Sequence, residues 1–233
     1  MLSIIIPALN EEKYLPKLLK SIKKQKFRDY EIIVADHNSK DKTRKIAMKS
    51  GCIIAKGGNS PGISRNGGFK KSKGSLILFL DADVILPDNF LDDLMKRLEE
   101  RKVDCASFNA VPISDKWIDK IAYFLCGLYF VIIQKIKPHS NGPCIFVKRD
   151  IHKKINGFDN SLIVGEDLNY VERAAKAGKY RFFMKPFIYA SVRRLNKEGR
   201  LKNFLRYAYI SIYRIFTRKE IKGDSLKYKF GGY

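Results

Sequence analysis

The chain reads as an α/β protein with a Rossmann-like, doubly wound, mostly parallel central sheet, flanking helices and a C-terminal amphipathic helical extension. Three features predict this. In the first hundred residues, short apolar runs rich in Ile, Val and Leu alternate with segments of helical spacing, the pattern of buried parallel strands joined by crossover helices. Hydrophobic residues make up 45% of the 233, enough for a sizeable core. Near the C-terminus, apolar residues recur every three or four positions within a strongly basic stretch.

Leu2 to Ile6 forms the first buried strand. Pro16 to Lys24 follows as a helix, with Leu15, Leu18, Leu19 and Ile22 on one face and Pro16 tolerated in its first turn. Glu31 to Ala35 is the second strand, Lys42 to Ser50 the second helix and Cys52 to Ala55 a short third strand. Ser60 is placed to cap a helix that opens at Pro61 and ends near Gly74. Leu76 to Leu80 is a strongly apolar strand, and Pro87 opens a helix through Glu100. Beyond residue 103 the order changes. Val103 to Val111 is a strand, Lys116 to Lys137 a long helix apolar nearly all round, and Pro143 to Val147 a short strand. Asp167 to Lys176 is a helix, and short strands cover Tyr180 to Met184 and Ile188 to Val192. In the last helix, Leu201 to Phe216, the residues Leu201, Phe204, Leu205, Ala208, Ile212, Ile215 and Phe216 share a face. The polar tail after Arg218 is expected to fray.

Cys52, Cys105, Cys126 and Cys144 are scattered with the spacing of neither a disulfide framework nor a zinc site, which suits a reducing compartment. The N-terminus lacks the pattern of a secretory signal. The longest apolar stretch, Ile121 to Ile133, has 13 residues against the roughly 20 needed to span a bilayer. A cytoplasmic protein is expected, peripheral on the inner face of the cell membrane. The net charge of +22 calls for an anionic partner: a phosphate-bearing ligand, an anionic membrane or nucleic acid.

Chemistry concentrates where strands end, because ligands on such sheets sit at the carboxyl edge. Asp81-Ala82-Asp83 follows the strand ILFL directly. Alternate residues on extended chain point the same way, so two carboxylates meet at one edge and repel unless a cation neutralises them. Hard oxygen ligands suit Mg²⁺ or Mn²⁺, which also hold a diphosphate. The same aspartates would serve equally as a turn and cap. In SIIIPALNEE the first strand breaks at Pro7 and sets Asn10 and Glu11 at the ligand edge. In VADHNSKDKT, Asp36, His37, Asn38 and Ser39 end the neighbouring strand, where they would read a base or ribose, or cap the next helix through Ser39 or Asp41. Arg65 and Asn66 precede the D-x-D strand by one helix, and an arginine there suits a phosphate. Lys70, Lys71 and Lys73 read as a solvated face. Glu166 and Asp167 open a helix, either as a base near the acceptor or as ordinary capping.

Taken together, these segments resemble the family 2 glycosyltransferases with the GT-A fold, from Ser3 to about Lys185. NGPCIFVKRDIHKKINGFD (141–159) and VGEDLNYVERAAKAGK (164–179) resemble that family's acceptor-side half. The resemblance implies an inverting, metal-dependent transfer from a nucleotide-diphospho-sugar. Pro7, Leu9 and Glu11 would line the nucleotide pocket, and Ala35, Asp36 and His37 would meet the base. Arg65 would approach the donor. Asp81 would touch ribose or metal, with Ala82 between it and the metal ligand Asp83. Asp167 would be the catalytic base, beside Glu166. Arg193 and Arg194 are candidates for diphosphate contact or a solvated basic loop. His37 replaces the second of two aspartates common in the family and Asn38 replaces its glycine, which leaves uridine or guanosine open. A late metal-holding histidine of some relatives has no match.

The implied organisation is a transferase domain over 1–192, with a nucleotide-sugar half (1–111) and an acceptor half (112–192), and a basic extension over 193–233. That extension holds 12 Lys/Arg and 3 Asp/Glu, net +9. Its helix suits an anionic lipid surface and hence a lipid-linked acceptor. Trp117 to Ile133 reads more readily as packed on the chain's own core or in a dimer. A nucleotidyltransferase would need a glycine-rich phosphate loop where this chain has PALNEE, and a nucleic-acid binder would need a recognisable module. The alternatives to a transferase are a nucleic-acid-binding protein and a sugar-nucleotide binder without turnover.

Overall fold

In a computed structural model of the chain, described for residues 1–140, 142–217 and 220, eight strands form one mixed sheet flanked by helices. Asn141, the tail from Arg218 expected to fray (apart from Glu220), and the side chains of Ser211, Ile212, Ile215 and Phe216 lie outside the described residues.

The first half follows strand–helix alternation. β1 (Leu2–Ala8), α1 (Leu15–Lys23), β2 (Tyr30–Asp36), α2 (Thr43–Lys49) and β3 (Ile53–Lys56) run outward from the centre of the sheet. α3 (Pro61–Lys71) then returns the chain to β4 (Leu76–Leu80) on the other side of β1. Ser60 caps α3 by accepting from the Ile63 amide at 3.3 Å. β1 pairs in parallel with both β2 and β4. The chain therefore reverses its winding between β1 and β4, and the carboxyl ends of these strands flank the crevice where a doubly wound sheet takes ligands.

The central strands β1, β2 and β4 are largely apolar because each feeds two cores. Leu2, Ile4, Ile6, Val34, Leu78 and Leu80 pack on one face with Leu18 and Ile22 of α1. Ile5, Ile33, Ile77 and Phe79 pack on the other. Each such side chain contributes about 1.5–3 kcal/mol on burial. Gly68 allows α3 to lie directly on β1: a Cβ there would collide with the Ile5 side chain.

The second half departs from the mostly parallel arrangement. β5 (Val84–Ile85) and α4 (Phe90–Arg101) are followed by β6 (Cys105–Ile113), α5 (Trp117–Ile133), β7 (Cys144–Lys148) and α6 (Arg149–Lys154). α7 (Glu166–Ala177), β8 (Tyr180–Ser191), α8 (Arg193–Glu198) and α9 (Arg200–Thr217) complete the chain. The sheet order is β3-β2-β1-β4-β7-β6-β8-β5. β7 inserts antiparallel between β4 and β6, and β5 pairs antiparallel with β8. The helix expected from Pro87 begins at Phe90, after Asn89 takes a left-handed φ of 60°. The two short strands expected near 180–184 and 188–192 are one strand, β8. Its register against β6 slips between Phe108↔Phe183 and Ala110↔Ile188. Pro186 lies in the slipped segment and has no amide to offer the ladder. Arg193 and Arg194, expected in a loop, open the short helix α8.

Candidate active site

Backbone and side chains stitch the loops after β1 and β2 together. The Asn10 amide donates to Ser39 Oγ at 2.9 Å and the Glu11 amide to Thr43 Oγ1 at 2.7 Å. The Glu12 amide donates to Asp41 Oδ2 at 3.0 Å, and the Lys40 amide returns to Asn10 Oδ1 at 2.8 Å. Asn10 and Asn38 hold left-handed φ values of 56° and 51°, which asparagine tolerates.

One cleft at this edge of the sheet gathers residues from both halves of the chain. Pro7 and Glu11 come from the end of β1, and Arg65 from α3. Asp81, Ala82 and Asp83 lie beyond β4, Gly142 and Pro143 before β7, Glu166 and Asp167 at the head of α7, and Arg193 and Arg194 in α8. Asn203 and Tyr207 of α9 close one side. The cleft thus unites ten of the residues selected from sequence. Leu9, Ala35, Asp36 and His37 lie next to it rather than along it. Ala35 is wholly buried and pairs in register with Pro7. Asp36 is buried and accepts from the Ser39 hydroxyl. His37 and Leu9 keep partial exposure.

Five carboxylates share this site, and two guanidinium groups organise them. Arg65, 2% exposed, donates to Asp81 Oδ1 at 2.8 Å and Glu166 Oε1 at 3.0 Å. Among the described residues its Nε has no hydrogen-bond partner. Arg65 therefore ties the D-x-D turn to α7 from beneath. Arg193 donates to both oxygens of Glu11 at 2.6 and 2.7 Å and to Asp83 Oδ2 at 2.8 Å, and its guanidinium lies 4.4 Å from the Tyr14 ring centroid. Arg194 donates to the Tyr207 hydroxyl at 3.1 Å. Nothing local in the sequence marks Arg193 as the partner of a loop 182 positions away. Asn203 and Tyr207 carried no signal beyond their place on an amphipathic helix.

The acids remain incompletely compensated. Burial pushes Glu11 up to about 7 despite Arg193, with Asp83 and Asp81 adding repulsion. Burial also raises Asp83. Burial and the neighbouring Asp167 carry Glu166 to about 7, and burial raises Asp167. Such a surplus fits a cation at the D-x-D turn. Among the described residues, no three His, Cys, Asp or Glu side chains form a ready-made metal cage. Asp81 and Asp83 fit an ion of the Mg²⁺ type, bound by one or two carboxylates with the remaining positions filled by phosphate oxygens and water.

Gly142 sits against Asp167. Its φ is +86°, and a Cβ there would stand 2.5 Å from Asp167 Oδ2. The glycine is required both by the left-handed turn and by this close approach.

A family model described as glycosyl transferase family 2 matches residues 3–156. Glycosyltransferase AglE of Haloferax volcanii is 26% identical over 188 residues, covering 76% of this chain and 62% of that protein. Among solved structures, the mannosyltransferase PcManGT from Pyrobaculum calidifontis, in complex with GDP-Man and Mn²⁺, superposes with a TM-score of 0.70. It is 18% identical, over 95% of this chain and 65% of that one. S. aureus TarS 1-349 in complex with UDP-GlcNAc gives a TM-score of 0.68 at 22% identity, over 82% of this chain and 58% of that one. The chain thus spans less than two thirds of the length of each of these proteins.

Proposed function

The chain belongs to glycosyl transferase family 2, and on that premise we propose that it moves a sugar, with inversion, from a UDP- or GDP-sugar to an acceptor hydroxyl or lipid phosphate. The observation that carries this reading is the meeting of Asp81 and Asp83 with Glu11, Glu166 and Asp167 in one cleft. That cleft lies where the sheet reverses its winding, so the residues that would hold a diphosphate and those that would take a proton face the same space.

The donor base lies against Leu9 and His37, over the floor made by Ala35 and Asp36. The diphosphate lies above Asp81 and Asp83, with Arg193 and Arg194 alongside. A divalent ion, Mn²⁺ or Mg²⁺, held by these two aspartates would neutralise charge on the departing nucleoside diphosphate. Asp167 accepts the proton of an acceptor hydroxyl as it attacks the anomeric carbon. Burial raises this carboxyl, which brings its basicity closer to neutral pH. Arg65 fixes Glu166 and Asp81 together, so the base and the diphosphate site keep their spacing. Residues 1–111 form the donor half and 112–192 the acceptor half. The basic extension, 193–233, rests on the anionic inner face of the cell membrane from the cytoplasmic side.

A panel of UDP- and GDP-sugars with Mn²⁺, scored for nucleotide release and thermal stabilisation, tests the reading. One nucleotide series is expected to raise the melting temperature only when the metal is present. No stabilisation by either series, with or without metal, overturns it.

A further inference from the structure

Two helices carry apolar side chains that the body of the protein leaves uncovered. α5 buries only Asp119 and Gly127. Along it stand exposed Trp117, Ile121, Phe124, Leu125, Leu128 and Ile132, with Trp117 69% and Ile132 68% accessible. Of the two expectations for Trp117 to Ile133, packing on the chain's own core is corrected, since these side chains stand exposed on the single chain. An all-round apolar sequence carries no period from which to read its buried side, and here one narrow stripe meets the sheet.

α9 adjoins it. Near the start of α5, Asp119 accepts from Arg200, the first residue of α9, at 2.7 and 2.8 Å. Just past the end of α5, Lys137 Nζ reaches the Arg214 carbonyl of α9 at 3.4 Å. The helices therefore run side by side in the same direction. On α9, Leu201, Phe204 and Leu205 are exposed, while Asn203 and Tyr207 of the same helix line the cleft. One helix is thus both cleft wall and apolar surface.

The surroundings state what this surface meets. Lys116, Lys120, Lys135, Lys197 and Lys202 are exposed around it. Of the nearby acids, Asp119 and Glu198 are already ion-paired with Arg200 and Arg206. A second copy would set lysines against lysines, whereas an anionic bilayer meets both the charge and the apolar side chains. At 17 residues α5 is about 26 Å long, short of the roughly 30 Å hydrocarbon core. No described helix is long and apolar enough to cross a membrane.

We propose that α5 and α9 together form a platform that embeds its apolar side in the headgroup region of an anionic bilayer and holds the Tyr207–Arg194 side of the cleft at the lipid surface. The acceptor is then a molecule anchored in that bilayer. Docking stands apart from the transfer chemistry, while the acceptor assignment rests on the proposed function.

Trp117 is the chain's only tryptophan, so its emission reports α5 alone. The protein is mixed with phosphatidylglycerol–phosphatidylcholine vesicles or with phosphatidylcholine alone at low salt, and flotation and fluorescence are read together. Expected are flotation with the anionic vesicles, a blue shift of Trp117 emission and its quenching by brominated lipid. In the double variant I121D/L125D, vesicle affinity falls roughly a hundredfold, about tenfold for each side chain withdrawn from the interface. Its stabilisation by nucleotide and Mn²⁺ without vesicles stays at the wild-type level, which separates failure of docking from failure of the donor site. The platform is refuted if the protein does not float, or if it floats with Trp117 emission unmoved, since the tail alone then binds. It is equally refuted if light scattering gives a dimer whose Trp117 is already shielded without lipid.

Discussion

Replacing Arg65 by methionine removes the cation that joins the two halves of the site. The guanidinium is 2% exposed and meets Asp81 at 2.8 Å and Glu166 at 3.0 Å. Taking one partner from a buried pair costs about 3–5 kcal/mol. A domain is held by roughly 5–15 kcal/mol, so the variant is expected to fold with a large part of its margin gone. The loss should also depend on pH. Glu166 is raised to about 7 in the folded protein, against an ordinary 4.5. An acid raised by folding binds its proton more tightly when folded, so its stabilising contribution is full below its unfolded value and is lost as pH rises through the folded one. Without Arg65 the folded value climbs further. The cost of R65M is therefore smaller near pH 5, where Glu166 carries its proton in both proteins, than near pH 9, where the loss of the Glu166 partner is added in full to that of the Asp81 contact. Denaturant unfolding of both proteins at the two pH values measures it. Arg65→Lys should recover only part, since an ammonium lacks the fork that spans both acids. A cost that is equal at both pH values, or below about 1 kcal/mol at the higher one, would refute the reasoning.

Asp167→Asn should lower turnover by about 10²–10⁴ while leaving nucleotide affinity unchanged, measured by product formation and by titration. Arg193→Ala strips both bonds from the buried Glu11 carboxylate, lifting it above its present value of about 7. Its melting temperature should fall more steeply than that of wild type as pH rises past neutrality. Gly142→Ala forces a Cβ onto Asp167 at a φ of +86°, which should cost about 1–3 kcal/mol by denaturation and reduce turnover with it. Chelation with EDTA should abolish both turnover and the thermal shift given by nucleotide, and Mn²⁺ or Mg²⁺ should restore them.

The donor half was legible because its information is local. Each strand from β1 to β4 is a short apolar run, each connection carries a cap or helical period, and the winding rule then places Glu11 and Asp81 at one crevice. The other half depends on distant pairings. Nothing in Cys144 to Lys148 says that this strand enters antiparallel between β4 and β6. Lys185, Pro186 and Phe187 interrupt the period of β8, so one bulged strand resembles two. The partners of Arg65 and Arg193 are set by tertiary proximity alone. Asp36 is placed by its strand end to meet a ligand, and its carboxylate also accepts from the Ser39 hydroxyl within its own loop.

Arg193 reaches Glu11 across 182 residues, which orders events during synthesis. The N-terminal strands emerge from the ribosome long before α8 exists, so the nascent donor half carries Glu11, Asp81 and Asp83 without the guanidinium that later joins Glu11 to Asp83. A product that stops before residue 193 holds the sequence of every described strand yet lacks this latch. The cleft gains its latch only with α8 and its last wall only with α9.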